Sequence, residues 1–352
     1  MVKISSKLDT LTPYQAGHDD YAILLNANES FVPPVPQLQQ EMLERIAKAS
    51  FNRYPDPMAE ALCQKFGHFY NVDPRLVVAG NGSDEIIGLL YACLLDPGDK
   101  VMTLAQDFSM YSFYCHIYNC THVEVAKEAD LTVNIDKLIA AVQAEQPQML
   151  LFSNPCNPTS LGMRREDIIK IVENCDTLVV VDEAYMEFYD QSVLDLCGKY
   201  DNLIVLKTCS KALALAALRV GFAISTERII YLMKTGKSPY NVNTVSQIMA
   251  EVVLENRELV ESAIGEIKAS KRMLYRGLVE LGKKYDQIVR ILPSDTNFIY
   301  MEMKDAQAAW EALKKEGILV RKMGNFLRIS AGTMMENDSV LEALAAFFEG
   351  EV

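Results

Sequence analysis

Thr208-Cys209-Ser210-Lys211, followed by Ala212-Leu213-Ala214-Leu215-Ala216-Ala217-Leu218-Arg219, sets one lysine among hydroxyls and small apolar residues, with an arginine a short step beyond. A lysine shielded from water gives up its charge more readily, and a neutral amine can condense with an aldehyde to an imine. Hydroxyls before the lysine and a guanidinium after it are what an anionic group attached to that aldehyde would need. By itself the segment also reads as a capped surface turn at a helix start, so its chemistry depends on what the rest of the chain brings to it.

Three further runs could supply that chemistry. Gly80-Asn81-Gly82-Ser83-Asp84 follows a strand-like run and opens a helical one, so free backbone amides and the Ser83 hydroxyl could hold a phosphate at a helix N-terminus; an ordinary N-cap with glycine for the turn fits equally well. Neither GxGxxG nor GxxxxGK[ST] is present, which weakens a nucleotide-binding reading. Val179-Val180-Val181-Asp182-Glu183 ends a buried strand on a carboxylate. Such a carboxylate can face a protonated pyridine nitrogen and keep that ring electron-withdrawing, with Tyr185 placed to reach a ring hydroxyl; as a plainer alternative, Asp182 caps the next helix. In Asn154-Pro155-Cys156-Asn157-Pro158-Thr159 each proline fixes its own φ and restrains the preceding residue, a rigid double turn that can hold the Asn157 amide toward a ligand oxygen.

The elements that must position these residues are legible as short apolar runs: Leu76–Ala79, Val101–Leu104, Met149–Phe152, Leu178–Val181 and Leu203–Leu206. Runs apolar on both faces, separated by amphipathic stretches such as Glu85–Leu95 and Arg164–Asn174, predict βαβ units around a mainly parallel sheet. Such a sheet binds its ligand at the carboxyl ends of its strands, which is where the polar runs fall. Beyond about residue 240 the pattern turns to long charged helical stretches (Val245–Leu281), then strand-like pieces at Asn297–Met303, Ile318–Arg321 and Phe326–Ser330 and a closing helix near Glu336–Phe348, which predicts a second, α+β domain. The N-terminal segment, with Pro33, Pro34 and Pro36, reads as an arm.

A chain of 352 residues exceeds one comfortable core, in keeping with a large and a smaller domain. Hydrophobic residues at 50% and charged residues at 23% indicate a globular protein. The net charge of −13, with a pI near 4.9, disfavours nucleic acid or an anionic membrane as partner without excluding a locally basic pocket. Eight cysteines lack CxxC pairs and zinc-like spacing, so we expect reduced thiols and no metal site. With no apolar leader and no span-length apolar run, the cytoplasm is the expected compartment.

In this order along the chain, Asn154–Thr159, Asp182–Tyr185 and Ser210-Lys211 with Arg219 resemble the pyridoxal-phosphate enzymes of the aspartate aminotransferase (type I) fold. Leu11-Thr12-Pro13-Tyr14-Gln15, Leu25-Asn26-Ala27-Asn28-Glu29, Asn52-Arg53-Tyr54-Pro55, Ser210–Ala216 and Leu327-Arg328-Ile329 look, within that fold, like the histidinol-phosphate aminotransferases. The resemblance implies an α/β chain with a mainly parallel seven-stranded sheet flanked by helices and a smaller α+β domain, divided as an arm (1–44), a large cofactor domain (45–240) and a small domain (241–352). It implies pyridoxal 5'-phosphate bound through Lys211 as an imine, with Lys211 also moving the proton. It further places Asp182 on the pyridine nitrogen, Asn157 and Tyr185 on the ring oxygen, and Phe108 stacked on the ring. Gly82, Ser83, Asp84, Thr208, Ser210 and Arg219 would hold the phosphate, joined by Tyr54 from the partner subunit of a homodimer with shared sites.

On the substrate side the resemblance implies Tyr14, Asn26, Arg321 and Arg328, the arginines suiting a phosphate or carboxylate in a bidentate fork. The expected reaction is transamination between L-histidinol phosphate and 2-oxoglutarate. An aromatic or broad-specificity aminotransferase and a threonine-phosphate decarboxylase are rivals within the fold, and a cofactor- or nucleotide-binding module without turnover is the rival outside it. The chain departs from the family pattern at Ser160, where glycine usually follows the NPT run, at Leu213 and Ala217, and in the short connection Lys322–Leu327 between the two arginines.

Overall fold

The computed structural model describes residues 7–8, 12–13, 21–33 and 36–350. Its strands are β1 (Ile23–Leu25), β2 (Val77–Gly80), β3 (Lys100–Leu104), β4 (Thr121–Val125), β5 (Met149–Ser153), β6 (Leu178–Asp182), β7 (Leu203–Thr208), β8 (Gly221–Ile224), β9 (Ile288–Ile291), β10 (Phe298–Met303), β11 (Ile318–Met323) and β12 (Phe326–Ser330). Its helices are α1 (Pro36–Ala47), α2 (Glu60–Tyr70), α3 (Gly82–Leu94), α4 (Met110–Ile117), α5 (Ile135–Glu145), α6 (Arg165–Asn174), α7 (Glu227–Gly236), α8 (Thr244–Glu255), α9 (Arg257–Lys284), α10 (Ala306–Lys315) and α11 (Met334–Glu349).

Seven strands form one sheet in the order β2-β8-β7-β6-β5-β3-β4. Pairing is parallel from β7 to β4, and β8 is antiparallel to both of its neighbours. Both faces are covered, which is why these strands read as unbroken apolar runs. In β6, Val179 and Val181 enter the core beneath α2, α5, α6 and α8, while Val180 enters the core beneath α3, α4 and α7. Burying each such side chain contributes roughly 1.5–3 kcal/mol, so a polar residue at any of them would loosen the strand that ends on Asp182.

A second sheet, β1-β11-β12-β10-β9, carries the smaller core with α10, α11 and the later part of α9. Two expected divisions run differently in the structure. A boundary at 44/45 would cut α1, whose Leu38 and Met42 belong to the large core, and a boundary at 240/241 would detach α8, whose Ala250, Val252 and Val253 also lie there. The cores separate inside α9: Val260 and Ile267 join the large one, Leu274 and Leu278 the small one. A helix of 28 residues spans about 42 Å, long enough to bridge both. Within the expected arm, β1 joins the small sheet by parallel pairing to β11.

Among the described residues no helix is long and apolar enough to cross a membrane, no acidic, histidine or cysteine cluster could hold a metal ion, and all eight cysteines are free thiols.

Candidate active site

The polar runs meet at the carboxyl edge of the seven-stranded sheet. β2 ends at Gly80 and α3 starts at Gly82, whose φ of +83° suits glycine. A side chain at Gly82 would place its Cβ 2.7 Å from Arg219 Nη2, and one at Gly221 would place its Cβ 2.4 Å from the Ser83 backbone nitrogen. Two glycines therefore let a guanidinium and a strand lie directly against the helix start. Arg219 Nη2 donates to Asp84 Oδ2 at 3.0 Å and Nη1 to Ser210 Oγ at 3.3 Å, while Thr208 Oγ1 donates to Ser210 Oγ at 3.0 Å. Free helical amides, two hydroxyls and a guanidinium gathered on one spot are the donors that an anion would need there.

Next to it stands Asp182, at the last position of β6. Tyr111 Oη donates to its Oδ2 at 2.9 Å and the Ala184 backbone nitrogen to its Oδ1 at 3.1 Å. Burial is the main cause that pushes this carboxyl up to about 7, against the lowering effect of those two bonds. Both donors are uncharged, so the carboxylate suits a cation, as a protonated pyridine ring provides. Phe108 lies at the foot of α4, its ring edge-on to Tyr111 with centroids 5.6 Å apart.

The double turn is fastened from below. Asp107 accepts from the Ser153 hydroxyl and, at 3.1 Å, from the Ser153 backbone nitrogen; Ser153 Oγ in turn accepts from the Asn157 backbone nitrogen at 3.1 Å. Both Asn154-Pro155 and Asn157-Pro158 are cis. Ser160, the departure from glycine, has φ +64°, the left-handed region that glycine adopts without strain. Its hydroxyl lies 2.8 Å from Pro293 O, a contact glycine could not make.

Lys211 is half-buried and donates from Nζ to Ala27 O at 2.8 Å. Burial first, then the Arg328 and Arg219 charges, lower its amine to about 8, near the neutrality that imine formation and proton transfer require. From the small domain, Arg328 Nη1 donates to Asn157 Oδ1 at 2.6 Å and Nη2 to Asn26 O at 2.7 Å. Asn26 thus contributes its carbonyl here, and the amide at work on the arm is that of Asn28, whose Nδ2 donates to Tyr185 Oη at 2.9 Å. Arg321 and Arg328 are direct partners across the β11–β12 hairpin, so they share a face of the small sheet. Tyr14 lies outside the described residues. Tyr54 is 80% exposed and stacks on Tyr240, with centroids 4.4 Å apart.

Sequence reasoning passed over Asn28, Tyr111, Asp107 and Ser153. Asn28 stands in the quoted run Leu25–Glu29, and its φ of +55° is a signal consistent with asparagine. Tyr111 and Asp107 flank Phe108 closely, but nothing in one sequence says which hydroxyl meets which carboxylate.

The aminotransferase class I and II family matches residues 21–344. The chain belongs to that family. This aminotransferase is 38% identical over 337 residues to a histidinol-phosphate aminotransferase of Clostridium novyi, covering 94% of this chain and 93% of the relative. It is 37% identical to a protein of the same name from Clostridium kluyveri, over 96% of each. The crystal structure of histidinol-phosphate aminotransferase from Sinorhizobium meliloti in complex with pyridoxal-5'-phosphate superposes with a TM-score of 0.90, covering 100% of this chain and 99% of that one at 22% identity. The fold is the type I aminotransferase fold, and the Sinorhizobium meliloti enzyme that shares it was solved with pyridoxal-5'-phosphate.

Proposed function

We propose that the enzyme exchanges an amino group between L-histidinol phosphate and 2-oxoglutarate, as part of histidine biosynthesis. The observation that carries this reading is the pairing of Arg321 with Arg328 on the face of the small sheet from which Arg328 reaches Asn157. Two guanidiniums in one register row suit, in alternation, the phosphate of L-histidinol phosphate and a carboxylate of its amino-group partner. The names of the relatives agree with a phosphate-bearing substrate.

When bound, pyridoxal phosphate supplies an aldehyde carbon and an electron-withdrawing ring. The residues fit it: the anion site of Ser83, Asp84, Thr208, Ser210 and Arg219 suits the phosphate, and the buried Asp182 suits the ring nitrogen. Asn157 and Tyr185 suit the ring oxygen, with Phe108 against the ring face. Lys211 Nζ, lowered to about 8, would move a proton between the substrate Cα and the cofactor carbon, in one direction in the first half-reaction and in the opposite direction in the second. Arg321 would take the phosphate of L-histidinol phosphate, and Arg328 a carboxylate of glutamate or 2-oxoglutarate. The exposed Tyr54 would reach the phosphate site of a second copy, which makes the active unit a homodimer; the acidic, thiol-rich chain suits the cytoplasm.

Lys211→Ala tests the chemistry: turnover and the absorbance of lysine-linked cofactor should both vanish, and retained activity would sink the reading. Purified enzyme given histidinol phosphate, phenylalanine and threonine phosphate in turn, with amino transfer and carbon dioxide release followed together, tests the substrate. Amino transfer from histidinol phosphate far above the other two is the expected outcome.

A further inference from the structure

We propose that Tyr111 is a positioning residue for the cofactor ring: its hydroxyl fixes the plane of the Asp182 carboxylate and hydrogen-bonds its charged form. The proposal rests on the reading that Asp182 faces the ring nitrogen, and it adds a residue that the sequence resemblance did not single out.

The geometry begins at the foot of α4. Phe108 lies just before α4, and the Tyr111 backbone nitrogen donates to its carbonyl at 3.1 Å, so the turn into the helix brings the two residues together and their rings meet edge to face. A single turn of chain thereby presents one ring toward the cofactor face and one hydroxyl toward Asp182. Tyr111 itself is held: it is 1% exposed, and its carbonyl accepts a hydrogen bond from Tyr91 Oη at 2.8 Å. The Asp182 carboxylate is then gripped at both oxygens from different elements, by Tyr111 from α4 and by the Ala184 nitrogen from the turn after β6. One fixed donor on each oxygen sets the plane of the carboxylate and leaves lone pairs free, so a ring nitrogen that meets one of them meets a carboxylate held against rotation.

The grip also opposes the surroundings. Burial and the nearby Asp107 and Asp84 carboxylates all disfavour charge on Asp182, and Tyr111 and the Ala184 amide are the groups that favour it. Asp107 and the Cys156 thiol also face Tyr111, and burial together with Asp182 holds its phenol firmly protonated, so it acts as donor throughout the working range. Cofactor with a protonated ring binds best to ionised Asp182, so below the carboxyl's own titration binding must expel a proton and affinity falls with falling pH.

Loss of the hydroxyl raises the pH at which that fall begins. Full-length apoenzyme, wild type and Tyr111→Phe, is titrated with pyridoxal phosphate by absorbance from about pH 6 to 9, with melting curves to check folding. The variant should bind about tenfold more weakly on the acid side of the profile, with the deficit closing on the alkaline side, because a hydrogen bond to a charged group has been removed only from the ionised state. Its kcat should fall with KM little changed. A fluorinated tyrosine at position 111, a stronger donor, should move the acid limb the opposite way and serves as the second variant if Tyr111→Phe does not fold. A profile unchanged in both, or a loss equal at every pH, overturns the proposal as a purely structural role would. Asp182→Asn, run alongside, should abolish the acid limb; a limb that survives there removes Asp182 from the ring nitrogen and takes down the underlying reading as well.

Discussion

Asp182 is costly in the empty enzyme and useful only when a cation sits against it. Its folded-state carboxyl is raised from 3.8 to about 7, so the folded apoenzyme binds the extra proton and loses stability as pH rises through that window. Lys211 is depressed from 10.5 to about 8, so the unfolded chain binds the extra proton between those values and stability is regained as pH rises from about 8 upward. Near neutrality both groups penalise the apoenzyme. Apo Asp182→Asn should therefore be more stable than wild type above about pH 7, on the order of a few kcal/mol, with the gain shrinking toward about pH 4, as urea unfolding across pH would read. Ser160 offers a second residue-level test. Ser160→Ala keeps the left-handed strain and abandons Pro293 O, at a cost of about 1–2 kcal/mol, whereas Ser160→Gly relieves the strain and should cost less than about 1 kcal/mol in the same assay. Lys211, Asp182 and Asn157 were legible as candidates because their types and spacing are chemical. Asn28 and Tyr111 were not, because their roles exist only once the arm, α4 and the strand ends meet.

Strands β5, β6 and β7 were legible as continuous apolar runs because the sheet is buried on both faces. The long helical stretch after residue 244 was legible as helix but not as two. Asn256 ends α8 and precedes α9, and its Nδ2 donates back to Val252 O at 2.8 Å, a local amide-to-carbonyl bond that periodicity cannot register. β1 was hidden for a different reason: three residues pair with β11 from the far end of the chain. The short Lys322–Leu327 connection, read as a loop, is itself hairpin, closed by Gly324-Asn325 with Gly324 at φ +60°. That positive φ at the first central residue is what a type II′ turn requires, and the tight turn fixes the register that puts Arg321 opposite Arg328. The element-level prediction follows from this register. Arg321→Lys keeps a charge but loses the planar fork, so KM for histidinol phosphate should rise about tenfold or more while KM for glutamate, which has no phosphate, moves much less; equal changes for both would detach Arg321 from the phosphate.

At the scale of the whole molecule, two cores joined by α9 leave the candidate site between a sheet edge that carries the residues proposed for the cofactor and a hairpin that carries the arginines. The same chain exposes Phe51, Tyr54, Met58, Tyr231 and Tyr240, apolar surface close in sequence to the Asn52–Pro55 motif and the end of α7. Large aromatics left in solvent are costly, and a second copy related by a two-fold axis would cover them while handing Tyr54 to its neighbour's phosphate site. The proposed sharing of sites between subunits makes a sharp prediction about mixed subunits. Let Lys211→Ala and Tyr54→Ala be made separately, each weak or inactive alone at limiting cofactor, and then be unfolded and refolded together. A hybrid dimer built from one of each has one site with both defects and one with neither. Equal mixing gives about half hybrids, each half active, so the mixture should recover roughly a quarter of wild-type activity. Sites completed within one subunit give no recovery at all, because every site would keep one defect. The outcome is independent of how tightly either variant binds substrate, since the intact hybrid site contains every residue of the wild type.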